Sequence, residues 1–127
     1  MTPDDAPRVS AERLVGISVR TAHIIVTSIY VGGRLWDVPP EKLRLWRDLT
    51  AATGTALLIS EARHSANWPH QGRGLTTVAH IGALLPGQLD PRLAKASPLA
   101  AMLIGSVGSH LPRSLRKWSV LRGKIMP

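Results

Sequence analysis

The sequence predicts an all-α protein, a polytopic membrane bundle of four helices with up-down topology. Four segments carry no charged residue, and charged residues make up only 19% of the chain, fewer than a water-soluble domain usually has. The four tryptophans lie at the borders of these segments, as anchors at a membrane interface do. The uncharged segments are Thr21–Gly33, Leu49–Ser60, Gly74–Leu89 and Ala96–Pro112, and the tryptophans are Trp36, Trp46, Trp68 and Trp118.

Each predicted helix extends an uncharged segment as far as the next turn signal. A single membrane domain over 1–127 would hold helices at 14–35, 43–64, 73–87 and 96–112, followed by a basic amphipathic tail at 113–127. The short Pro- and Gly-containing connections favour helical hairpins in series. The uncharged segments are shorter than the roughly 20 residues that a membrane helix needs, so flanking charged side chains would have to extend to the interface. The alternative is a soluble bundle, which needs a charged face along each helix.

The charges predict the orientation. The net charge is +8, and the tail after Pro112 has five cations and no acid, so the positive-inside rule places it in the cytoplasm. Four spans of the cell inner membrane then place both termini there, although the cations of the first loop oppose this. The polar N-terminus predicts no secretory signal, and its Asp4, Asp5 and Glu12 are candidate helix caps. Apolar residues between the tail cations favour a lipid interface over nucleic acid.

Each predicted helix carries one histidine on a polar stripe. On the first helix Arg20, His23 and Thr27 recur at a spacing of three and four residues, which is one helical face. In the predicted topology His23 and His80 lie furthest from the membrane surface, with His64 and His110 nearer the cytoplasmic ends. An ionisable group inside a membrane bundle is a functional candidate, because its burial is costly.

Two imidazoles at similar depth on two helices are suited to the iron of haem b, so His23 and His80 are the predicted axial ligands. Arg20, one turn before His23, is the predicted partner of a haem propionate. Copper or zinc is the alternative; without Cys the ligands would be histidines, with His64 and His110 as further candidates. A third possibility is a non-catalytic small membrane subunit whose histidines only form hydrogen bonds across the bundle.

The stretch Val19–Gly33, with His23 and the pair Gly32 and Gly33, resembles the first helix of the CopD-like membrane proteins and of the related HemJ-type protoporphyrinogen oxidases. Leu75–Leu85 and Ser109–Arg113 resemble later helices of the same group. The resemblance implies membrane helices, haem or copper handling and a redox role. The chain lacks the Lys that HemJ-type proteins have beside the later His, so oxidase activity is not carried over.

The expected function is therefore that of a haem b-binding membrane protein in electron transfer. Its expected partners are the lipid bilayer and either other membrane redox subunits or further copies of the chain. The sequence indicates no catalytic residue and neither an electron donor nor an acceptor.

Overall fold

The computed structural model of the chain is mostly helical, which confirms the all-α prediction. The structure describes residues 10–126, so the candidate caps Asp4 and Asp5 lie outside the described residues. The helices are α1 (Ala11–Leu35), α2 (Pro40–His64), α3 (Gly72–Gly82), α4 (Pro86–Leu89), α5 (Ala96–His110) and α6 (Arg113–Lys117), with single 3-10 turns at Trp68–His70 and Pro91–Leu93. The strands β1 (Trp118–Ser119) and β2 (Lys124–Ile125) pair antiparallel.

The two long helices begin three residues before their predicted starts, and local chemistry explains both differences. The Ser10 hydroxyl caps α1 by accepting a hydrogen bond from the Arg13 N–H at 3.3 Å. Pro40 opens α2 at the first helical position, where its missing N–H has no partner to lose. The first turns of α1 and α2 therefore contain charged residues, which lie outside the uncharged segments used for the prediction.

The third helix differs most from its prediction, because α3 ends at Gly82 rather than at residue 87. After Gly82 the backbone tightens, with the N–H groups of Leu84 and Leu85 donating to the carbonyls three residues before them. Pro86 has no N–H to continue an α-helical ladder and instead opens the four-residue α4. At about 1.5 Å per residue, α3 is roughly 16 Å long and α1 is roughly 37 Å.

The main packing is between α1 and α2 and between α3 and α5, so the fold consists of two helical hairpins. Ion pairs join the hairpins at both ends. Arg73 at the start of α3 lies 3.3 Å from Glu61 near the end of α2, and Lys95 before α5 lies 2.7 Å from Asp37 in the first connection. The first pair joins the consecutive ends of α2 and α3, and the second joins the α1–α2 connection to the start of α5.

Much apolar surface stays exposed in this fold. Apolar residues buried within 10–126 are Val26, Val31, Leu43, Trp68 and Ala101, whereas large apolar side chains such as Ile24 (60%) and Leu103 (67%) are exposed. Of the described helices, α1 alone is long and apolar enough to cross a membrane. The prediction that all four tryptophans are interface anchors is wrong for Trp68, which is buried; its backbone packs against the first turn of α3.

Candidate functional site

His23 lies half-buried on α1 and faces α2. Its Nδ1 is 2.9 Å from the hydroxyl oxygen of Thr53. That hydroxyl already donates its one hydrogen to a backbone carbonyl, that of Leu49 at 2.7 Å. With the hydroxyl hydrogen on the Leu49 carbonyl, Thr53 accepts from the Nδ1–H of His23, and Nε2 of the neutral ring keeps its lone pair.

The His23 ring also lies against a glycine of the opposing helix. A Cβ at Gly54 would be 3.2 Å from the His23 Cε1 atom, closer than ordinary contacts between side chains. Thr53 and Gly54 are neighbours on α2, so one residue fixes the tautomer and the next leaves space for the ring.

His80 repeats this arrangement in the second hairpin. Its Nδ1 lies 2.6 Å from the backbone carbonyl oxygen of Ala101 on α5. A carbonyl oxygen only accepts, so the His80 Nδ1 also carries the proton and its Nε2 keeps the lone pair. A Cβ at Gly105, one turn further along α5, would be 2.9 Å from the His80 Nδ1.

The two imidazoles lie near one another across the junction of the hairpins, close enough for their charges to interact. The His23 Nδ1 contacts the Thr53 hydroxyl and the His80 Nδ1 contacts the Ala101 carbonyl, and the Thr50 backbone is a further hydrogen-bond partner of the His23 ring. A metal-binding histidine characteristically has this arrangement, in which one nitrogen donates to a protein acceptor and fixes the ring while the other is left for the metal.

Two buried hydroxyl groups flank His23 without a hydrogen-bond partner in the part of the chain that the structure describes. They belong to Thr27, one turn along α1, and to Thr50, one turn before Thr53 on α2. Buried polar groups without partners are rare and often mark a site for water or a ligand. The surroundings of His23 between α1 and α2 are thus more polar than a helix–helix interface formed by apolar side chains alone.

His64 and His110 are exposed and bonded within their own helices. The His64 Nδ1 lies 2.7 Å from the Ser60 carbonyl oxygen, and its Nε2 lies 3.3 Å from the Glu12 carboxylate. The His110 Nδ1 lies 2.8 Å from the Ser106 carbonyl oxygen. Among residues 10–126 no three His, Asp or Glu side chains are grouped so that they could hold a metal ion.

Arg20 has a carboxylate partner on α2. Its guanidinium lies 3.5 Å from the Glu61 carboxylate, which also pairs with Arg73. Glu61 therefore links α1, α2 and α3 one turn from His23. The sequence did not indicate that Arg73 shares this carboxylate.

The two imidazoles fit haem better than a bare metal ion. A structural zinc site needs four ligands and a catalytic site usually has three from the protein, whereas these residues offer two nitrogens. Porphyrin supplies four nitrogens of its own, so two axial imidazoles complete the coordination of its iron.

Comparisons of the chain with family models, with curated proteins and with solved structures find no match. The resemblance of Val19–Gly33 to the CopD-like and HemJ-type proteins therefore stays a prediction.

Proposed function

We propose that the protein is a polytopic protein of the cell inner membrane that holds haem b between His23 and His80 and passes electrons. The observation that carries the proposal is the matched pair of imidazoles, each with Nδ1 fixed as a donor and Nε2 available. The resemblance to CopD-like and HemJ-type proteins points the same way.

The exposed apolar side chains support the membrane part of the proposal. Ile24 and Ile25 on α1, Val78 on α3 and Leu103 on α5 are all more than half exposed, which lipid chains would cover. Because α3 and α5 are shorter than the bilayer is thick, the second hairpin needs the turns and α4 to complete its span. These parts would have to pack against the longer hairpin.

The proposed orientation has both termini in the cytoplasm, following the cations of the tail. The ends of α1 and α2 that carry Glu12 and His64 then face the cytoplasm, and Asp37 with Lys95 faces the opposite side. A reporter fused after Pro127 should be active only if it functions in the cytoplasm. Activity restricted to the periplasm would contradict the topology, and extraction into buffer without detergent would contradict the membrane location.

The protein's own residues would hold and orient the group. His23 and His80 present Nε2, Thr53 and the Ala101 carbonyl fix the two rings, and Gly54 and Gly105 let the rings lie close to the helices. Bound haem iron supplies one-electron redox chemistry. The protein then acts alone, as a homo-oligomer or as a subunit of a larger redox assembly.

The test is an optical titration of the detergent-solubilised protein with haem b. The wild type should give a low-spin spectrum, and His23→Ala and His80→Ala should each lose it. His64→Ala and His110→Ala are matched controls and should keep it. If the first two variants keep the spectrum and a control loses it, the site lies at the exposed ends of the helices. Stoichiometric copper without haem binding would favour the metal-handling alternative, and binding of neither would favour the non-catalytic subunit.

Arg20 is the proposed partner of a haem propionate, with which its planar fork can form two parallel hydrogen bonds. A propionate would compete with Glu61 for the guanidinium. We expect Arg20→Leu to weaken haem retention, and Arg20→Lys to restore part of it as a point charge. Full retention in Arg20→Leu, with higher thermal stability, would show that Arg20 only extends to the interface and binds no propionate.

A further inference from the structure

The C-terminal residues after α5 form a fixed module rather than a loose tail. The Val120 N–H donates to the His70 carbonyl at 3.0 Å, and the Met126 N–H donates to the Lys117 carbonyl at 2.9 Å. Ser119 is 2% exposed and forms a β-bridge with Gln71, which is fully buried. These contacts tie the module, here defined as residues 113–126, to the chain that leads into α3.

Gly72 shows how closely the module is packed. A Cβ at Gly72 would overlap the backbone carbonyl of Leu115 in α6, so only glycine permits this approach. The backbone of the module is therefore held in one place before any ligand arrives. A preordered site of this kind loses little freedom on binding.

The module is strongly cationic and has no internal counter-charge. Its cations are Arg113, Arg116, Lys117, Arg122 and Lys124, and no Asp or Glu follows Asp90 in the sequence. The ion pairs within residues 10–126 leave all five of these side chains without a carboxylate partner. A concentrated positive field of this kind attracts an anion from outside the chain.

A recess of about 380 Å³ opens on this module. Arg113, Ser114 and Lys117 line one side of it, and Ile125 and Met126 line the other. Two cations with a hydroxyl suit the oxygens of a phosphate, and the apolar side suits the carbon chain attached to it. Leu115 and Leu121, on the same module, are 54% and 71% exposed, so apolar surface lies near the charges.

We propose that this recess binds the phosphate headgroup of an anionic phospholipid. The inference rests on the proposed membrane location, because the module then lies at the cytoplasmic interface with its apolar side chains toward the acyl chains. Phosphate with an attached acyl glycerol satisfies both sides of the recess, whereas a free phosphate satisfies only the cationic side.

The experiment uses the full chain in bilayers of phosphatidylcholine with increasing phosphatidylglycerol, one lipid brominated at a time. Trp118 is 41% exposed beside the recess, so the part of the quenching that disappears in Trp118→Phe reports the lipid bound there. Brominated phosphatidylglycerol should quench Trp118 at much lower mole fraction than brominated phosphatidylcholine.

The variant pair Arg113→Gln with Lys117→Gln should weaken this preference about 25-fold, since each basic residue near the surface is worth roughly fivefold. Arg122→Gln with Lys124→Gln removes the same charge from residues that do not line the recess, and should weaken the preference clearly less. Equal losses in the two pairs would overturn the site in favour of diffuse attraction.

Two further outcomes identify other sources of the signal. If millimolar inorganic phosphate abolishes the preference, the recess takes a soluble anion and the lipid proposal is overturned. If neither brominated lipid quenches any tryptophan, the chain is not in the bilayer, and the proposed membrane location fails together with the inference.

Discussion

The two helical hairpins hold their histidines in different ways. In the first hairpin the partner of His23 is a side chain, the hydroxyl of Thr53, with unpartnered hydroxyls around it. In the second the partner of His80 is the backbone carbonyl of Ala101, and the ring lies against Gly105, one turn further along α5. A side-chain acceptor can be removed by one substitution, whereas a carbonyl acceptor can be disturbed only by moving the helix.

Because of this difference, the His23 ring can shift its position, whereas the position of the His80 ring is fixed by the backbone. The position of His23 depends on the chemistry of α2, and the position of His80 depends on how closely α3 approaches α5. A Cβ at Gly108 would lie 2.8 Å from the Thr76 side chain, so the close approach extends along α5. Substitutions should therefore affect the two hairpins differently.

The largest expected effect is that of Gly105→Ala. The new methyl group would lie 2.9 Å from the His80 Nδ1, which is held on the Ala101 carbonyl and cannot withdraw without losing that bond. Overpacking of this kind costs about 1–3 kcal/mol, against about 1 kcal/mol gained in helix propensity. We expect a net loss of up to about 2 kcal/mol in the free energy of unfolding, measured by denaturant titration in detergent.

Gly54→Ala is the matched control, because its methyl group would meet the His23 Cε1 at 3.2 Å and a ring held by a side chain can shift. Its net effect should be near zero, since the propensity gain offsets the crowding. Equal losses from both substitutions would show that the hairpins do not differ in rigidity.

Thr53→Val should have the next largest effect. It removes the acceptor of the His23 Nδ1 proton at nearly constant volume, which costs about 1 kcal/mol and frees the ring to change tautomer. Nitrogen NMR of labelled histidine should then show a mixture of tautomers for His23 and an unchanged His80. Thr55→Val is the control, because its hydroxyl bonds only the Ala51 carbonyl of its own helix.

The smallest effects concern the ion pairs that join the hairpins. Glu61→Gln weakens contacts to both Arg20 and Arg73 and should cost about 0.5–1 kcal/mol, while Asp37→Asn weakens one exposed pair and should cost less. Chemical denaturation at low and high salt should show that added salt reduces the Glu61→Gln effect. If Asp37→Asn lowers the free energy of unfolding more than Glu61→Gln does, the Asp37–Lys95 pair is the stronger link between the hairpins.

The sequence predicted the parts of this fold that depend on side-chain periodicity. The spacing of Arg20, His23 and Thr27 defined the polar face of α1. The Ala101 carbonyl could not be predicted, because every residue carries one and its use depends on how α5 packs. The end of α3 was predicted wrongly because the uncharged segment continues past Gly82, whereas the α-helical backbone ends there.

At the charged ends of the helices, too, the contacts that depend on packing could not be predicted from the sequence. The ion pair of Glu61 with Arg73 depends on where α3 starts relative to α2. Trp68 stands at a segment border like the other tryptophans, yet it is buried in the fold. Position in the sequence identified the candidates, and contacts between the hairpins determined their roles.

The most direct test of the central claim is electron paramagnetic resonance of the ferric protein loaded with haem b. If the Nε2 atoms of His23 and His80 bind one iron, the wild type gives a low-spin signal, and His23→Gly and His80→Gly each give a high-spin signal. Free imidazole should restore the low-spin signal in both variants by replacing the missing ligand. A low-spin signal that persists in either glycine variant without imidazole would contradict the account.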